Sequence, residues 1–73
     1  MYSIYFYHNF GEPHYHSITK IQTDRPGAIQ TARDHKNRHG DKRDHFEVYQ
    51  EVDGEAIPVY HSIFGAWDDP RLP

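Results

Sequence analysis

Residues 45–63 read HFEVYQEVDGEAIPVYHSI, from His45 through Asp53-Gly54 to Ile63. Two runs rich in β-branched and aromatic residues flank one Asp-Gly pair. That pair is the signature of a two-residue hairpin turn, in which both central positions take positive φ. A turn so short fixes the register. Val48 then faces Val59, Gln50 faces Ile57 and Phe46 faces His61, so the apolar residues share one side. The other side sets Tyr49 against Pro58 and Glu47 against Tyr60. Pro58 has no N–H for the ladder, which marks its strand as an edge or as bulged at that point.

Upstream, Thr23-Asp24-Arg25-Pro26-Gly27-Ala28 opens a helix. The Asp24 carboxylate can take up free amides, and Pro26 falls in the first turn, where a missing N–H costs nothing. Ala28, Ile29, Ala32, His35 and His39 recur at spacings of three and four, which predicts one inward stripe as far as about His39. Gly40 is the expected stop. The small alanines let the helix lie close to a sheet. The connector Gly40-Asp41-Lys42-Arg43-Asp44 reads as solvated.

The N-terminal half predicts a second hairpin. Tyr2 to Asn9 is aromatic and poor in helix formers. It puts Tyr2, Ile4, Phe6 and Phe10 on one side, Tyr5 and Tyr7 on the other. Gly11 and Pro13 mark a turn. His14 to Thr23 is the next strand, but Ile18 and Ile21 have opposite parity within it. With Ile21 turned to the core, His16, Ile18 and Lys20 fall on the outer side. The expected fold is α+β: strand–strand–helix–strand–strand, a four-stranded antiparallel sheet with one helix on one face. Residues 1–64 form a single domain and residues 65–73 an irregular tail, with Phe64 and Trp67 packing back. The uncovered face then carries Tyr5, Tyr7, His16, Ile18, Lys20, Glu47, Tyr49, Glu51, Pro58 and Tyr60.

Composition limits what such a chain does. It has 73 residues, 36% of them hydrophobic and 15% aromatic, so the core is thin and built on rings. Without cysteine, neither disulfides nor cysteine-based zinc sites are available. No signal peptide or membrane span is legible, which points to a cytoplasmic protein. A net charge of −3 argues against a duplex-DNA binder working by bulk electrostatics. The seven histidines are unusual; their protonation reverses the sign of the net charge.

Four tyrosines and an isoleucine on one open face exceed scattered surface apolars and suggest an interface. The expected contact residues are Tyr5, Tyr7, Ile18, Tyr49 and Tyr60. Base stacking on the same rings is the alternative, though Glu47 and Glu51 oppose it and only Lys20 favours it. His35-x3-His39 and His14-x-His16 have spacings that permit chelation, but neither pair has a third ligand, and no metal or other cofactor is expected. No nucleophile motif surrounds Ser3, Ser17 or Ser62, so no enzyme is expected.

The segment Ile18–His35, ITKIQTDRPGAIQTARDH, resembles the strand-to-helix junctions of small accessory proteins of phages and plasmids. Its size, composition and one-helix-on-a-sheet build are similar to those of small phage proteins that inhibit host defence complexes, and that likeness implies an inhibitor. The expectation is therefore a small non-catalytic binding protein whose open sheet face or edge meets a protein, either a larger host assembly or a second copy in a homodimer. A nucleotide or single-strand binder and a histidine metal protein are the alternatives.

Overall fold

The computed structural model describes residues 1–72; Pro73, the last residue of the expected tail, lies outside them. Strands β1 (Tyr2–Tyr7) and β2 (His16–Ile21) form the first hairpin, and α1 (Arg25–His39) follows. Strands β3 (His45–Val52) and β4 (Glu55–His61) form the second, and β5 (Gly65–Ala66) ends the sheet. The order is β2-β1-β3-β4-β5, antiparallel throughout. This is the expected α+β build with one strand more. The extra strand comes from the segment read as tail, which turns back so that Ala66 pairs with Tyr60 and Gly65 with His61.

Local chemistry sets the helix ends. Asp24 Oδ1 accepts from the Gly27 N–H at 2.8 Å, and Pro26 sits in the first turn. At the other end the Gly40 N–H donates to the Lys36 carbonyl. Gly40 has an extended backbone, so a left-handed cap is not what glycine supplies. A Cβ there would stand 2.9 Å from the Lys36 carbonyl oxygen, and glycine permits the close approach. Ala28 and Ala32 are fully buried and bring α1 down over β1 and β3. The core beneath comprises Tyr2, Ile4, Phe6, Phe46, Val48 and Val59.

The hairpin turn adopts positive φ at both Asp53 and Gly54, as its sequence requires. A Cβ on Gly54 would meet nothing, so alanine there is opposed only by backbone strain. Gly54→Ala is expected to cost about 1–2 kcal/mol, read as a lower urea midpoint at unchanged slope.

Two bulges alter the expected faces. In β2, Ile21 lies opposite Tyr2 but Ile18 lies opposite Ile4, so β2 spends one more residue than β1 over the same distance. Lys20, at φ 58°, lies within that extra step. The bulge turns both isoleucines toward the helix, which corrects the placement of Ile18 and His16 on the open face. In β4, Tyr49↔Pro58 and Gln50↔Ile57 follow the turn's register. Beyond Pro58 the register shifts by one, giving Val48↔Tyr60 and Glu47↔His61. Pro58 thus marks a bulge on a stretch that is also an edge, since β5 pairs only with Tyr60 and His61. The shift carries Tyr60 to the helix side and His61 to the open side, the reverse of the strict alternation.

Candidate binding surface

Among the described residues, no helix or second sheet covers the face opposite α1. Along the in-register strands it presents Ser3, Tyr5, Tyr7, Ser17, His45, Glu47, Tyr49, Glu51, Ala56, Pro58 and His61. Alternation in β1 and β3 puts them there, because their odd-numbered positions oppose the buried even-numbered ones. The Tyr5 and Tyr49 rings meet edge to face at 5.5 Å. His14, from the loop after β1, adds a third ring 4.9 Å from Tyr5 and 6.2 Å from Tyr7.

Glu47 lies directly opposite Tyr5 in the β1–β3 ladder and opposite His61 in the β3–β4 ladder. Among the described residues, no ion pair involves Glu47 or Glu51. Burial and then the Glu47 carboxylate push the neighbouring phenols up, Tyr49 to about 12 and Tyr7 further. These tyrosines are neutral hydrogen-bonding groups at any physiological pH.

One end of this face carries a second aromatic cluster. His45 and His61 are 4% and 6% exposed, and their rings stack 5.3 Å apart. Phe10 lies over both, 4.5 Å from His45 and 5.8 Å from His61, and Phe64 lies 4.7 Å from His61. Tyr7 stacks on His45 from the tyrosine side at 5.1 Å. The two phenylalanines are themselves 59% and 67% exposed, and Ile63 beside them is exposed as well. The face therefore runs from Tyr49 and Tyr5 across Tyr7 to an apolar rim. Burial is the main cause that lowers both imidazoles below their ordinary value, so they sit neutral under the rings. His61 Nδ1 accepts from the Ile63 N–H, which orients its ring.

A buried carboxylate anchors the loop that carries Phe10. Asp44, 5% exposed, accepts from His8 Nδ1 at 2.9 Å, from the Tyr15 hydroxyl at 3.0 Å and from the Asp41 N–H at 3.0 Å. Burial opposes its charge, but these donors outweigh that and hold it below the ordinary carboxylate value. The His8 and Tyr15 rings stack at 3.9 Å, closing the base of the β1–β2 loop. The charged connector is thus partly a latch.

The helix side holds what the bulges moved. Arg33 donates to the Tyr60 hydroxyl at 2.9 Å, and its guanidinium stands 5.7 Å from the Tyr60 ring centre. His16 stacks on His35 at 4.8 Å, and His39 lies 4.9 Å beyond. The first pair is nearly parallel, at 9°, and the second is tilted at 52°. Among the described residues no three His, Asp or Glu side chains form a metal-ligand group. His14 and His16 contact opposite faces, His14 on Tyr5 and His16 on His35, so they do not act as a pair.

Of the five contact residues expected from sequence, Tyr5, Tyr7 and Tyr49 come together on the open face, while Ile18 and Tyr60 pack beside the core under the helix. Sequence alternation missed Phe10, His45, His61 and Phe64. Phe10 had been assigned to the core side, but β1 ends at Tyr7 and parity does not carry through the turn that follows. No family model, curated protein or solved structure matches the chain. No helix among the described residues is long and apolar enough to cross a membrane.

Proposed function

We propose that this chain is a small non-catalytic binding protein that docks a protein partner on the open face of its sheet. The carrying observation is an uncovered face whose tyrosines continue into exposed phenylalanines at one end. Contiguous aromatic area of this kind marks interfaces, because rigid rings with polar tips bring contact area at low entropic cost. Docking by strand addition is less suited to this sheet. One edge is β2, broken by its bulge, and the other is β4, interrupted by Pro58 and its bulge and capped at one end by the two-residue β5; these are devices that discourage edge pairing. Two glutamates and no lysine or arginine on the in-register face also favour a protein over a nucleic acid. The size, composition and one-helix-on-a-sheet build resemble those of small phage proteins that inhibit host defence complexes, so the proposed role is that of an inhibitor that covers a functional surface of a larger assembly.

The double variant Tyr7→Ser/Tyr49→Ser tests this. It is expected to keep its circular dichroism spectrum and to lose partner capture or self-association at least tenfold. Gln30→Ala/Asn37→Ala, on exposed α1 positions, serves as the control and is expected to bind as the parent does. Equal binding by the tyrosine variant and the parent contradicts the assignment.

A further inference from the structure

We infer that the open face receives an arginine side chain of its partner, seated in the corner that the Tyr5 and Tyr49 rings form and against the Glu47 carboxylate. The inference rests on the open face being the docking surface and adds the chemistry of what enters it. Three observations carry it. First, Glu47 is half-buried in the middle of the face, with Tyr5 across the ladder, Tyr49 two residues along its own strand and His61 on the other side. The Tyr7 and Tyr49 phenols that lean on this carboxylate leave its charge in place, so covering it is costly unless a cation comes with the covering group, and the described ion pairs leave Glu47 without one.

Second, Tyr5 and Tyr49 meet edge to face at 84°. Their ring planes are near-perpendicular, a corner with π-faces that attract a cation. A guanidinium suits this corner better than an ammonium, because it is planar, weakly hydrated and able to grip both carboxylate oxygens. Third, a guanidinium on a tyrosine of this sheet occurs within the chain. Arg33 stands over the Tyr60 ring and donates to its hydroxyl on the helix side, which shows how this sheet's tyrosines accommodate a guanidinium.

Charge is distributed to match. Arg25, Arg33, Lys36 and Arg38 lie on α1, whereas the in-register open face carries Glu47 and Glu51 and no lysine or arginine. The partner surface is therefore basic and apolar. A second copy offering α1 is the competing occupant, and solution mass separates it.

Titration of the full chain with the peptides acetyl-Gly-Arg-Gly-amide and acetyl-Gly-Lys-Gly-amide, followed by NMR, is the test. The arginine peptide is expected to bind weakly, in the millimolar range, and to shift Tyr5 and Tyr49 ring resonances. The lysine peptide is expected to bind several-fold more weakly. Glu47→Gln is expected to reduce arginine-peptide affinity at least fivefold, with Glu55→Gln, at the far end of β4, unchanged. Absence of ring shifts, or equal affinity of Glu47→Gln and the parent, overturns the arginine site. If Tyr7→Ser/Tyr49→Ser still loses the protein partner, the docking face stands and only its arginine chemistry falls. If that variant binds normally, both fall. Concentration-dependent dimerisation abolished by Glu47→Gln and by Arg38→Glu assigns the face to a second copy and overturns a foreign partner.

Discussion

Phe6→Ala is expected to remove most of the chain's folding stability at 25 °C. Phe6 is fully buried, and its ring lies 6.2 Å from Phe46 and 4.4 Å from His35. It ties the C-terminal end of β1 to β3 and to the helix. Truncating a buried phenylalanine costs about 3–5 kcal/mol, part in lost transfer and part in the cavity left behind. Whole domains are stable by only about 5–15 kcal/mol, and the shortest lie low in that range because they bury a smaller share of their surface. Few apolar neighbours are available to refill the space, since the helix brings only Ala28, Ala32 and the half-buried Ile29. Far-ultraviolet circular dichroism against temperature measures this. A cooperative transition within a few degrees of the parent contradicts the placement of Phe6 at the centre of the core. Tyr7→Ser, one residue along but on the open side, is expected to have a much smaller effect.

The second large effect is on the acid side. Stability is expected to fall as pH drops from about 7 to 5. Burial, as the first cause in each case, lowers His35, His45 and His61 in the folded state. His35 also faces His16 and His39, while His45 faces His61, Glu47, Asp44 and Lys36. The two carboxylates favour protonation of His45, yet burial outweighs them. In the unfolded chain these imidazoles titrate near pH ~6.5. Between the lowered folded values and that pH the unfolded state binds more protons, so stability rises with pH there. The contribution is complete above about pH 6.5 and is lost as pH falls below it. Asp44, lowered in the fold, adds a further loss only below about pH 4.

A loss of even about 1 kcal/mol moves Tm by about 4–8 °C in a domain of this size. The expected observation is a Tm at least about 5 °C lower at pH 5 than at pH 7. His45→Phe, placed among Tyr7, Phe10 and His61, is expected to flatten that limb. An equal Tm at both pH values contradicts neutral, buried imidazoles at the end of the sheet.

The elements legible in the sequence were those set by local chemistry. Asp24 and Pro26 start the helix, Asp53-Gly54 makes the hairpin, and the small Ala28 and Ala32 approach the sheet, all within a few residues of chain. Side-chain direction beyond a bulge is different, because one extra residue reverses every assignment after it. The opposite parity of Ile18 and Ile21 was itself the trace of the first bulge, since a regular strand leaves one of them out of the core. Pro58 signalled the second, and its consequence fell on the next residues: Tyr60 turned under Arg33 and His61 came out beneath Phe10. Asp44 looked like one charge in a solvated run. Its role depends on His8 and Tyr15, which lie 36 and 29 residues away in sequence. The candidate surface was thus legible in Tyr5, Tyr7 and Tyr49, where strands β1 and β3 run without interruption, and illegible where turns and bulges build its rim.

Side-chain footprinting by mass spectrometry, on the free chain and on the chain bound to the protein it captures, tests the docking face most directly. Protection is expected at Tyr5, Tyr49, Phe10 and Phe64, with the exposed α1 positions Gln30 and Asn37 labelled equally in both states. Protection confined to α1, with Tyr5 and Tyr49 labelled as in the free chain, would contradict it.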